Sequence, residues 1–368
     1  LEFRRVLFRS RWIFYINLPI GIIALVVTSI NLHIPKVKRE HKIDYLGAAV
    51  MVSAVVALLL AISVYGPEKG WTAPATLTSF GIFAALTILF LIVEASAKEP
   101  ILPFDLFKNH TVSITSLLGF IIGAGMFGAI VMVPLYLQIV KSNSATMAGL
   151  KLIPFMLGIV SMSIYSGKQI SKHGHYKRFP IIGLIMMSVG IGFMSTLNVN
   201  TPYWHLVIYA FLVGMGLGFS MQTIVIALQN AIDFKHMGVA TSANTFFRSV
   251  GGTVGVAIFG TIYANRLAHD LPNAIQTVAS KNPAAMAGAT PESLAQLKNN
   301  TEVLQTLSPE LRDGILHAFT HGFHSVFLSA LPVVLLGLFV TLFLRETPLR
   351  SGEAFKEAQE EAVGEQFG

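Results

Sequence analysis

Three histidines, His317, His321 and His324, stand at i, i+4 and i+7. That spacing puts their rings on one helix face, where they could hold a metal ion. No carboxylate companion is placed convincingly beside them, and the alternative is an interfacial helix face, so no metal site is assigned. A second constellation is Arg248, with Asn244 one helical turn before it and Gln222 at similar depth on the preceding apolar stretch. Polar and ionisable groups inside a bilayer are expensive and mark function. Gln222, Asn244 and Arg248 are therefore the candidate substrate-cavity or gate residues; the alternative is an arginine that snorkels to the headgroups. Lys151 reads as a snorkelling residue near the outer surface, and Asp44 and Glu94 read as interfacial residues at span ends. No Asp or Glu falls at the middle of any apolar stretch, so if the chain were a proton antiporter, its principal proton carrier would not be among these residues.

The enzyme motifs are missing. There is no Gly-x-Ser-x-Gly elbow, no phosphate loop and no His-Glu-x-x-His. With no cysteine, there is no thiol nucleophile and no Cys-ligated cluster. Gly214-x-Gly216-x-Gly218 lacks the βαβ context of a dinucleotide loop. Asn109-His110-Thr111 and Asn299-Asn300-Thr301 match the weak glycosylation pattern, the first on the cytoplasmic side. The chain reads as no enzyme, with no cofactor.

The elements that must position these residues are long and apolar. Hydrophobic residues make up 53% of the chain and charged residues 12%, against about 25% charged in soluble domains. Stretches at roughly 12–32, 44–64, 76–94, 112–138, 148–166, 180–197, 204–228, 242–264 and 323–344 are each near the length that crosses a bilayer, about 20 helical residues. In hydrocarbon a backbone must satisfy itself, which selects helices. The fold class is an all-α polytopic membrane protein, and the lipid bilayer is its first partner.

The net charge of +7 does not indicate nucleic acid, because the basic residues gather in alternate connections. One set contains Lys36, Lys38, Arg39, Lys42, Lys98, Lys108, Lys168, Lys172, Lys177, Arg178, Lys235, Arg345, Arg350 and Lys356. The other contains Lys69, Lys141, Arg266, Lys281, Lys298 and Arg312. The richer set is cytoplasmic by the positive-inside rule, and so is the C-terminus. The arginines within residues 1–10 violate that rule, and this segment is expected to be non-native.

Residues 265–322 form the one long connection, external and polar, and read as a solvated spacer. Ser308-Pro309 marks a helix start, and Pro291 to Leu297 a further short helix. Residues 345–368 form a cytoplasmic tail. Glycines crowd three spans, Gly119 to Gly128, Gly214 to Gly218 and Gly251 to Gly255, as close helix packing requires.

Several patches carry a family resemblance. Arg11-Trp12-Ile13-Phe14-Tyr15-Ile16-Asn17-Leu18-Pro19-Ile20-Gly21 resembles the start of the sixth helix of the fourteen-helix drug:proton antiporters, the multidrug efflux branch of the major facilitator superfamily. Asp44-Tyr45-Leu46-Gly47 resembles the entry to the next helix, and Ala148 to Pro154 the entry to the tenth. Ser166-Gly167 through Gly174, followed by Tyr176-Lys177-Arg178-Phe179-Pro180, is similar to the second-half copy of the superfamily's cytoplasmic loop signature, with Ser171 where many copies carry Asp. Gly214 to Asn230 and Gly238 to Gly252 also resemble the family.

The resemblance covers residues 11–345 and maps the chain onto the last nine of fourteen helices. It implies a chain truncated at its N-terminus, a fragment. Residues 11–32 would be the last helix of the N-terminal half. Residues 33–110 would hold two linking helices and cytoplasmic loops, and residues 111–344 the C-terminal six-helix half with its external loop 265–322. It implies transmembrane transport in the cell membrane: export of lipophilic or cationic small molecules in exchange for protons, with drug resistance as the outcome and the proton gradient as energy source. Gly167, Gly174, Lys177 and Arg178 would govern the conformational switch. The alternatives are a specific metabolite exporter of the same fold and a nontransporting membrane receptor or scaffold.

Overall fold

The computed structural model describes residues 15, 17–31, 44–97, 100–286, 303–304 and 306–349. The first family patch from Arg11 to Phe14, the basic cluster Lys36 to Lys42, Lys98, the segment Pro291 to Thr301 and the tail from Arg350 lie outside those residues. Helix α1, Asn17–Asn31, belongs to a separate unit and is uniformly apolar; Thr28 returns its hydroxyl to the Ala24 carbonyl at 2.7 Å.

In the second unit, α2 spans Tyr45–Lys69 and contains a π-helical turn at Ala61–Tyr65. Asp44 caps it, its carboxylate accepting from Gly47 N–H at 2.8 Å. Gly70, with φ +96°, ends it in a conformation that L side chains rarely adopt. Helix α3, Pro74–Ser96, packs back along α2. Glu94, near the end of its span, is 2% exposed, and its carboxylate accepts the Leu102 N–H, fastening the following connection to the hairpin. A burial this complete requires such a partner. A short turn, α4, Phe104–Phe107, leads onward.

Six helices follow: α5 His110–Ile139, α6 Ala145–His173, α7 Arg178–Met194, α8 Tyr203–Asn230, α9 Met237–Lys281 and α10 Pro309–Leu342. They pack as α5 on α9, α6 on α8, α7 on α8, and α10 on α5, α7 and α9. Asn109 caps α5, accepting from Thr111 N–H at 2.9 Å while its amide donates to Ala231 O at 2.8 Å, so a capping role occupies the first glycosylation-pattern asparagine. Among the described residues, seven helices are long and apolar enough to cross a membrane, and α1 and α7 are shorter apolar helices.

The glycines set the spacing. A Cβ at Gly251 would overlap the Phe120 carbonyl, one at Gly123 the Arg248 carbonyl, and one at Gly255 would lie 2.5 Å from Ala124 O. On the other side of the bundle, a Cβ at Gly158 would lie 2.6 Å from Phe211 O and one at Gly183 2.6 Å from Gly216 O. Without a hydrophobic drive between helices in lipid, this backbone approach is what holds membrane helices together. The buried interior is filled by Leu118, Ile122, Leu184, Met187, Phe323 and Phe327.

The expectation of a solvated spacer over 265–322 is corrected in part. Helix α9 continues to Lys281, and α10 starts at Pro309 with Ser308 as its N-cap, as the Ser-Pro pair predicts. Leu267, Leu271, Leu304, Leu307, Leu311 and Ile315 are all buried. Leu267 and Leu271 of α9 and Leu311 and Ile315 of α10 repeat at i, i+4, so each extension buries an apolar stripe, and Leu304 and Leu307 add to it from the turn before α10. Polar contacts reinforce it: Asn282 donates to Glu310 at 2.8 Å, and Ser308 to Ala285 O at 2.6 Å.

Candidate functional site

Helix α9 brings Phe246, Phe247, Val250 and Val254 to one wall of a cavity of about 690 Å³. Phe120 of α5 adjoins them, and α4 contributes Phe104 and Phe107. The α2–α3 hairpin closes the opposite wall with Met51, Phe83, Phe90 and Leu91. Phe107 meets Phe247 edge-on, with ring centroids 5.9 Å apart. Aromatic and aliphatic groups of this kind bind lipophilic compounds through burial and ring contacts.

The three candidate cavity residues are not brought together. Asn244 is 3% exposed and donates to Thr115 O at 2.7 Å, a hydrogen bond across the α5–α9 interface. Arg248 is half-buried on α9, and its carbonyl faces Gly123. Gln222 is exposed on α8, with its Cγ 3.9 Å from a Cβ placed at Gly167 of α6. No hydrogen bond or ion pair joins the three among the described residues. Of the histidines, His317 lies 3.6 Å from Asp313, and His321 3.5 Å from Asp270.

Of the four residues expected to govern the switch, Gly174 and Lys177 lie in the turn between α6 and α7, Gly167 lies inside α6, and Arg178 begins α7. Gly174 has φ +76° and ends α6, its N–H bonding Ile170 O at 2.8 Å; this is a left-handed cap that glycine fits without strain. Gly167 is different, since a Cβ there would meet nothing nearer than Gln222. Lys177 donates to Leu342 O at 2.8 Å, satisfying a terminal carbonyl of α10. Arg178 stacks over the Phe179 ring at 4.9 Å.

The residue that anchors this turn is one that sequence reasoning passed over. Tyr176 is fully buried. Its hydroxyl donates to Arg345 O at 2.8 Å and accepts from Thr347 N–H at 3.0 Å; its own N–H donates to Glu346 at 2.9 Å. His175 lies 3.3 Å from the same Glu346 oxygen, and Asn230 of α8 donates to Thr347 Oγ1 at 3.0 Å. Together these contacts tie the α6–α7 turn and the end of α8 to the segment that leaves α10. Tyr176 sits inside the family loop signature, which was the available signal; its partners, about 170 residues away, left none.

A family model described as Major Facilitator Superfamily matches residues 6–256. An uncharacterized MFS-type transporter of Mycobacterium tuberculosis is 35% identical over 342 residues, covering 92% of this chain and 48% of the relative. The multidrug transporter protein MdtP of Bacillus subtilis is 32% identical over 365 residues, covering 95% of this chain and 67% of the relative. A tetracycline resistance determinant of Streptomyces rimosus is 32% identical over 340 residues, covering 88% and 98%. The chain thus spans about half the length of the mycobacterial relative it matches.

Proposed function

The chain belongs to the Major Facilitator Superfamily, a family of transporters and not of enzymes, and on that premise we propose that it exports lipophilic, often cationic, small molecules in exchange for protons. The observation that carries the substrate class is the cavity of about 690 Å³ with walls of Phe90, Phe107, Phe120, Phe246 and Phe247. An apolar aromatic surface discriminates weakly between compounds of similar size, which suits broad export. Relatives named as multidrug and tetracycline resistance proteins support the same reading.

In this mechanism the helices rock as rigid bodies about a site within the membrane. The glycine contacts of α5 with α9 and of α6 with α8 keep each pair rigid, and the Tyr176 cluster locks one end. Arg248 and Gln222 tune the polar boundary of the route, and Asn244 holds Arg248's helix in register. The C-terminus and the Tyr176 turn lie on the cytoplasmic side of the cell membrane. The proton gradient supplies the energy.

Ethidium efflux from cells producing the protein tests the proposal. Extrusion should stop when an ionophore collapses the proton gradient, and Phe246→Ala with Phe247→Ala should weaken it. Extrusion that survives the ionophore would reject proton exchange, and dye accumulation equal to that of control cells would reject lipophilic export.

A further inference from the structure

At the end of the bundle opposite the Tyr176 turn lies a second cavity, of about 340 Å³. It is bounded by the end of α5, the turn at Lys151 and Leu152 that interrupts α6, and the connection from α7 into α8, and its lining includes Lys141, Lys151, Asn143, Thr201 and Tyr203. Two half-buried ammonium groups therefore share one small space. Among the described residues no carboxylate pairs with either.

The side-chain oxygens around it are already engaged. Asn143 Oδ1 accepts from Lys151 Nζ at 2.7 Å, Tyr136 OH donates to Asn198 O at 2.8 Å, and Tyr203 OH donates to Lys151 O at 3.1 Å. Lys141 donates to Val199 O. An ammonium has three N–H donors, so each lysine keeps two beyond its hydrogen bond. The Tyr203 ring, 4.7 Å from Lys151, steers one charge without neutralising it. Burial, and secondarily the charge of Lys151, holds Lys141 below the ordinary lysine range.

Two further features add positive potential. Arg312 of α10 reaches Ser142 Oγ at 3.3 Å, beside Lys141. Pro202 and Tyr203 place the N-terminus of the 28-residue helix α8 on the lining, where unsatisfied N–H groups favour an anion.

We propose that this cavity is an anion site that binds a phosphate group between Lys141 and Lys151. The same chemistry is offered by the headgroup of an anionic phospholipid in the adjacent leaflet and by free phosphate in solution. This inference does not depend on which compounds the protein exports.

Lysine acylation of the purified protein, read by mass spectrometry, tests the site. The protein is held once in nanodiscs of phosphatidylcholine with and without inorganic phosphate, and once in nanodiscs containing phosphatidylglycerol. The bound group should slow acylation of Lys141 and Lys151 several-fold while exposed Lys281 is unchanged. Protection by inorganic phosphate supports a soluble ligand, and protection only by phosphatidylglycerol supports a lipid ligand. Protection of the remaining lysine should be lost in Lys151→Gln and retained by Lys141 in Lys151→Arg. Equal acylation of both lysines in the unaltered protein under all three conditions would overturn the proposal, whether or not the variants fold.

Discussion

The backbone N–H of Tyr176 donates to the carboxylate of Glu346 at 2.9 Å, and the tyrosine hydroxyl bonds the residues on either side of that glutamate. One fully buried ring thus clamps the exit of the last helix to the turn between α6 and α7. Two turn residues flank this clamp: Gly174 ends α6, and Lys177 donates to the Leu342 carbonyl at the end of α10.

Tyr176→Phe removes the hydroxyl and leaves the Arg345 carbonyl and the Thr347 N–H without it. The expected cost is about 1–3 kcal/mol. Thermal unfolding in detergent should show a lower midpoint with the helix content unchanged. An unaltered midpoint would show that the clamp contributes nothing to stability.

Gly251→Ala sets a methyl group against the Phe120 carbonyl, so α5 and α9 must separate. A loss of about 1–3 kcal/mol is expected from such overpacking. Gly81→Ala is the control, because nothing lies within 4 Å of its Cβ position; there alanine's better helix propensity should leave stability equal or higher. Equal effects of the two substitutions would remove close approach as the reason for the α9 glycines.

Gly174→Ala and Gly167→Ala separate capping from motion. The first forces a positive φ on alanine, at roughly 1–2 kcal/mol. The second finds open space and should leave stability intact. If Gly167 serves the conformational switch, its alanine variant slows transport at an unchanged melting temperature. Normal transport would leave Gly167 without that role.

Arg248→Ala should reduce efflux while the protein still reaches the membrane. Asn244→Ala should instead destabilise, since it removes the buried hydrogen bond that joins α9 to α5 at the Thr115 carbonyl. Efflux assayed at matched membrane levels distinguishes them. Full efflux by Arg248→Ala would sink its assignment to the transport route.

Lys141 gives a pH dependence of definite sign. Its native pKa is lowered, so between that value and the usual 10.5 the native state binds fewer protons than the unfolded state. Stability from this group therefore rises with pH through that window and falls as pH drops through the native pKa. The melting temperature of the unaltered protein minus that of Lys141→Met should increase over that alkaline range. A flat difference would show that Lys141 is not desolvated.

Hydropathy is local, and local information was enough for much of this protein. The runs that became α2, α3, α5, α6, α8, α9 and α10 are apolar over membrane length, and the α7 run is apolar over 17 residues, because each must satisfy its own backbone in lipid, and that demand is written residue by residue. The Ser308-Pro309 helix start and the Gly174 turn were legible for the same reason: caps and turns depend on neighbours in the chain. Pairwise geometry was not legible. Gln222, Asn244 and Arg248 look like one polar group by depth, yet helix rotation sends Asn244 to Thr115 and Gln222 toward Gly167. Leu271 and Ile315 sit in polar sequence and look solvated until the two helix extensions face each other. Tyr176 and Glu346 meet only because six helices fold back on one another. Burial of a side chain and the partner of a polar atom are properties of the packed pair, and only the tertiary structure decides them.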